Sequence, residues 1–123
     1  MALITEGKHE GEFIGEYVMS EGYHVDEVTL VSGQNLAAGA VLGRITASGK
    51  YTIYSNAAVD GSEVAAGILL GAVNASAGDV ANARVVRRGP MMVNNNDLGW
   101  GANDATGIIA GKADLLALGI KAV

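Results

Sequence analysis

The sequence predicts a mainly β domain that carries one short C-terminal helix and is preceded by an extended N-terminal arm. Three observations lead to that reading. Half of the 123 residues are apolar but only 5% are aromatic, and there are 18 glycines, about twice the usual share of ~7%. Such a composition builds an interior from small and β-branched side chains joined by tight turns. Short β-prone runs also recur between Ser-Gly, Gly-Pro and asparagine-rich breaks. Charge, finally, is segregated. Residues 1–27 hold seven acids against Lys8 alone, a balance of −6, whereas residues 28–123 hold six acids and seven bases, a balance of +1. The chain is of a length that forms one domain, burying roughly two thirds of its unfolded surface.

The arm, residues 1–27, has too few large apolar groups to offset the ordering of its own backbone, so it is expected to be mobile in the free protein and to order on a partner. Within it, Phe13-Ile-Gly-Glu-Tyr-Val-Met19 is β-prone. As a strand it would place Phe13, Tyr17 and Met19 on one face and Ile14 and Val18 on the other. That run serves equally as a docking strand for a partner or as an ordinary edge strand packed on the body, residues 28–123.

In the body, Val28–Val31 is expected to be a strand ended by Ser32-Gly33, and Val41–Thr46 a second. The latter is joined to Lys50–Tyr54 by a tight hairpin at Ala47-Ser48-Gly49, where Gly49 supplies the positive φ. Asn56–Gly61 is a polar loop. Ala65–Val73 is a continuous small and apolar run, read as a strand buried on both faces at the centre of the core. Ala83–Arg87 and Met91–Val93 give further strands interrupted by Gly89-Pro90, and Asn94–Asp97 is a turn. Ile108, Ile109, Leu115 and Leu116 then recur at helical spacing on one face, with Asn103 or Asp104 as N-cap. Gly119 stands at the left-handed position after the helix, Ile120 is placed to meet Leu115, and Ile120–Val123 returns to a sheet.

The residues offer little chemistry. There is no cysteine, which removes disulfides, thiolate metal sites and thiol nucleophiles. His9 and His24 fall in the arm, where a positioned base is not expected. The body acids Asp60, Glu63, Asp79, Asp97, Asp104 and Asp114 read as turn residues, caps and solvated faces, so no catalytic, cofactor or metal site is expected. Gly99-Trp-Gly101 lacks the rest of a dinucleotide fingerprint, and no phosphate-binding loop is present. Arg84, Arg87 and Arg88 form one basic cluster without interleaved aromatics, so direct nucleic-acid binding is not expected. Trp100 is either a core plug or an interface anchor. The longest uncharged run, Val28–Gly43, is shorter than a bilayer crossing of roughly 20 residues, and the first residues lack the pattern of a secretory signal. Membrane and small-molecule partners are therefore not expected, and synthesis in a cytoplasm is.

The run from Glu27 to Tyr51, EVTLVSGQNLAAGAVLGRITASGKY, resembles the tailed-bacteriophage head decoration family. The resemblance continues through Asp60-Gly61, Ala65–Leu69, Val85–Arg87, the asparagine-rich turn before Trp100, and Leu115–Ile120. Glu12–Glu16 followed by Ser20-Glu21 and Asp26–Thr29 is similar to the family's approach to its first strand. The resemblance implies a β-tulip body, no enzymatic reaction, and a homotrimer on the outside of an expanded phage head. It further implies that the arm orders against the major capsid protein. On that basis Phe13, Ile14, Tyr17 and Val18 are the expected partner-binding residues. Two other readings stand beside it. One is a carrier or accessory barrel using Lys50 as a modified lysine, and the other is a cell-surface or sugar-binding β module.

Overall fold

A computed structural model describes residues 24–123; the expected partner-binding residues Phe13, Ile14, Tyr17 and Val18 lie outside them. Five strands close into a barrel in the order β1 (His24–Leu30), β4 (Tyr51–Ile53), β3 (Val41–Arg44), β5 (Ala65–Leu69) and β7 (Val80–Arg88). All neighbours are antiparallel except β1 and β4, which run parallel and meet at the single pair Leu30 and Tyr51. A two-residue ribbon, β2 (Asn35–Leu36) with β6 (Val73–Asn74), spans two connections. The parallel pair β8 (Met91–Val93) and β9 (Ile120–Ala122) is linked by a short 3-10 turn at Asn95–Asp97 and the helix α1 (Ala105–Ala117). The mainly β body with one C-terminal helix is thus as the sequence predicts.

Around β3, β5 and the middle of β7 the wall of this barrel is buried on both sides, and strand alternation explains how. Leu30, Leu42, Tyr51, Leu69, Ala83 and Val85, drawn from all five strands, pack together in the lumen. Their immediate neighbours Val41, Ile68, Leu70 and Val86 turn outward into a second layer with Tyr54, Met91, Val93, Trp100, Leu115 and Ile120. Successive strand residues point to opposite faces, so a run with no polar alternation is what a doubly covered wall requires. The apolar run expected to be buried on both faces, Ala65–Val73, meets this at β5. It does not continue as one strand to Val73. Leu70 still donates its N–H to the Arg84 carbonyl at 2.9 Å, after which the chain turns and Val73-Asn74 pairs with β2.

Several strand ends shift by a few residues, and two differences from the sequence expectation bear on packing. The first strand opens at His24 rather than at Val28, because β7 lends a ladder to residues whose own β propensity is poor. His24 therefore belongs to a barrel strand. The helix also turns differently. Gly107, Gly111 and Leu115 form its buried row, while Ile109 and Leu116 are 69% and 60% exposed. The reason is a close approach: a Cβ at Gly111 would lie 2.5 Å from the Trp100 ring and 2.9 Å from that of Tyr54. The glycine row lets the helix backbone settle directly on two aromatic rings, and this rotates the larger residues Ile109 and Leu116 away. The termini of α1 agree with expectation. Asp104 is the N-cap, its carboxylate accepting the Gly107 N–H at 2.9 Å, and Gly119 has φ +85° with its N–H donated to the Leu116 carbonyl. The hairpin glycine Gly49 likewise has φ +73°.

Candidate partner-binding surface

The segment expected to bind a partner joins the barrel at His24, so the site is built outward from β1. Its C-terminal end is locked. Leu30 is fully buried and pairs with both Val80 of β7 and Tyr51 of β4, and the Val31 N–H reaches the Tyr51 carbonyl at 2.9 Å. Its N-terminal end overhangs, because β4 begins only at Tyr51 and, among the described residues, no strand but β7 pairs with Val28. From His24 to Val28 the strand is held by β7 alone among the described residues.

This overhanging ribbon is exposed and charged. Val25 stands opposite Val86 and is 40% exposed. Asp26 accepts a hydrogen bond from Arg87 at 3.2 Å, both side chains being about half exposed, and Glu27 faces Arg84 in register. Arg87 and Arg88 also line a shallow cleft of about 220 Å³ with Ala117 and Leu118, where the end of the helix meets the ribbon. The basic cluster read from the sequence is thus arrayed along β7 beside the acids of β1, which fits pairing across strands.

The other candidates resolve into structural roles. Trp100 is a core plug: it is 9% exposed, meets Tyr54 edge to face at 6.1 Å, and donates its indole N–H to Asn95 at 3.1 Å. The Tyr54 hydroxyl donates to the Gly107 carbonyl at 2.8 Å; burial, and secondarily the charge of Asp114, push its pKa up. Sequence reasoning missed this tyrosine, although aromatics are so scarce that each was a candidate for the core. Lys50 is tied by an ion pair of 2.5 Å to Asp79, which also accepts the Ser32 N–H at 2.7 Å. Those two hydrogen bonds, the lysine's first, hold the Asp79 carboxyl below its usual pKa. A lysine so engaged is poorly presented for carrying a group. Asp60 accepts both the hydroxyl and the N–H of Ser62, which lower its pKa, and Glu63 accepts the Gly61 N–H. These acids stiffen a loop. Among the described residues no group of three or more His, Asp or Glu is placed to share a metal ion, and no helix is long and apolar enough to cross a membrane.

A family model, bacteriophage lambda head decoration protein D, matches residues 3–120, nearly the whole chain. No curated protein matches.

Proposed function

Because the chain belongs to the bacteriophage lambda head decoration protein D family, a family of structural proteins of the phage head, we propose that it is a cement for the capsid shell. In this reading a homotrimer sits on the outer surface of the expanded head, is made in the host cytoplasm, and is fastened to the major capsid protein by the arm, which the structure of β1 limits to the residues before His24. The observation that carries the reading is the span of the family match, which takes in most of the arm as well as the barrel. The barrel supports it, since β1 opens on an exposed ribbon from which residues before His24 can extend up to about 75 Å at roughly 3.3 Å per residue.

The energetics identify what the arm must do. A strand added to a capsid sheet gains about 0.5–1.5 kcal/mol per hydrogen bond, while fixing each residue costs about 1–2 kcal/mol. Backbone pairing alone roughly balances. Burial of Phe13, Ile14, Tyr17 and Val18, at about 1.5–3 kcal/mol for each fully buried large side chain, tips the sum toward binding. In a trimer the first arm to engage raises the effective concentration of the other two, for a gain in avidity of about 10²–10⁴. Three weak anchors then act as one firm clamp. A trimer that bridges neighbouring capsomers only in the mature lattice stabilises that lattice over the others, by the general rule that a ligand favours the state it binds.

Deletion of residues 1–22 tests this. The shortened chain is expected to keep its barrel, as judged by circular dichroism and cooperative unfolding, and to lose binding to purified expanded heads in a sedimentation assay. Undiminished binding would remove the arm from the mechanism. Light scattering on the free protein tests the trimer separately.

A further inference from the structure

We propose that Asp60-Gly61 is a latent site of backbone rearrangement to isoaspartate, and that Ser62 and Glu63 hold it closed in the folded protein. No other aspartate or asparagine in the sequence is followed by glycine. In an unfolded chain such a pair is especially reactive, because glycine neither shields its amide nitrogen nor restricts the backbone. The nitrogen of Gly61 attacks Cγ of Asp60, water leaves, and a five-membered succinimide forms. Water then opens the ring at the main-chain carbonyl. The backbone afterwards runs through the former side chain, one methylene longer, with no net change in mass.

The fold requires this pair. Gly61 has φ +109°, and a Cβ there would run into the Thr46 hydroxyl and lie 2.7 Å from the Arg44 carbonyl, so a side chain is excluded. The Asp60 carbonyl accepts the Thr46 N–H at 2.9 Å, and its carboxylate accepts the Ser62 hydroxyl at 2.6 Å and the Ser62 N–H at 3.0 Å. An added methylene would displace Ser62, whose carbonyl accepts the Ser55 N–H at 3.1 Å and against whose backbone Gly43 of β3 packs. The damage would reach the barrel wall.

The same contacts oppose each requirement of ring closure. Attack needs Cγ of Asp60 presented to the Gly61 nitrogen at near-contact distance and angle, and the two bonds from Ser62 fix the carboxylate on Ser62 instead. It needs a protonated, electrophilic carboxyl, and those bonds favour the ionised one. It also needs the Gly61 amide to lose its proton. Glu63 accepts that N–H at 2.8 Å, and its charge disfavours a second negative charge beside it. The inference does not depend on the decoration reading. Outside a cell a protein is not renewed, so a head component must resist this reaction for as long as the particle lasts.

The full chain, kept native in neutral buffer and separately unfolded in guanidinium chloride, tests the proposal. Isoaspartate at Asp60 is read by peptide mapping with fragmentation that separates the two linkages. The native chain is expected to accumulate it at least about tenfold more slowly, equivalent to about 1.4 kcal/mol. Equal rates would overturn the proposal. Ser62→Ala and Glu63→Gln, each checked for native circular dichroism, are expected to speed the native reaction about three- to tenfold, as loss of one hydrogen bond or one charge does. An unchanged or slower rate in either folded variant would overturn it. Glu63 is only partly buried, so its variant keeps the test decisive if removal of the buried Ser62 hydroxyl prevents folding.

Discussion

The two ends of β1 are built from one continuous strand yet do different things. At Leu30 the strand is bonded on both edges, its side chain fills the lumen, and the wall is closed. At Val25–Glu27 it is bonded on one edge, its side chains are exposed, and its charges meet arginines across the ribbon. Burial and pairing are concentrated where the barrel closes, and exposed charge is left where it does not. The division means that the overhang can change without loosening the closed wall.

The sharpest way to break the comparison is a pair of truncations. Leu30→Ala is expected to lower unfolding free energy by about 2–5 kcal/mol, as buried leucines do. Val25→Ala should stay within about 0.5 kcal/mol, as at other exposed positions. Equal effects in urea denaturation would show that the overhang is part of the stable wall. Next in size is Gly111→Ala, which forces a methyl group against Trp100 and Tyr54 and is expected to cost about 1–3 kcal/mol. Near-UV circular dichroism should report the displaced rings, because that layer lies on the far side of the wall from the lumen. The smallest effect concerns pH. The folded pKa of Asp79 is depressed, so its contribution is present above the unfolded value of about 4 and is lost as pH falls through the lower folded value. Asp79→Asn should therefore lower stability near neutrality and leave it unchanged at the lowest pH, flattening the acid limb, a difference that thermal melts across pH 2–7 would reveal.

Local signals carried much of this fold into the sequence. The Gly49 hairpin, the Gly119 helix stop, the Asp104 cap and the doubly buried β5 all depend on residues within a few positions of one another, where turn chemistry and periodicity act directly. What lay beyond reach depends on distant partners. His24–Glu27 has a poor strand composition and becomes a strand only because β7 stands beside it. Ile109 and Leu116 read as core by spacing and face solvent because Gly107 and Gly111 let the helix rest on Tyr54 and Trp100 instead. Of the candidate site, the residues of the resemblance named the family before any geometry was known. The overhang had no sequence signal, since it arises from where β4 happens to begin.

The arrangement of β8, α1 and β9 has a kinetic consequence. These elements form one contiguous stretch, Met91–Ala122, whose helix and parallel strand pair are joined within that stretch. Closing the barrel, by contrast, brings β1 to β7 across 50 or more positions. Loop-closure entropy makes distant pairings late and nearby ones early. The β3–β4 hairpin, whose partners lie 7 to 11 positions apart, is thus placed to form first, the pairing of β8 with β9 across 29 positions later, and the closure of β1 on β7 last. Substitutions at β1 should then accelerate unfolding far more than they slow refolding, and the strand that closes the barrel would be the last element to fold.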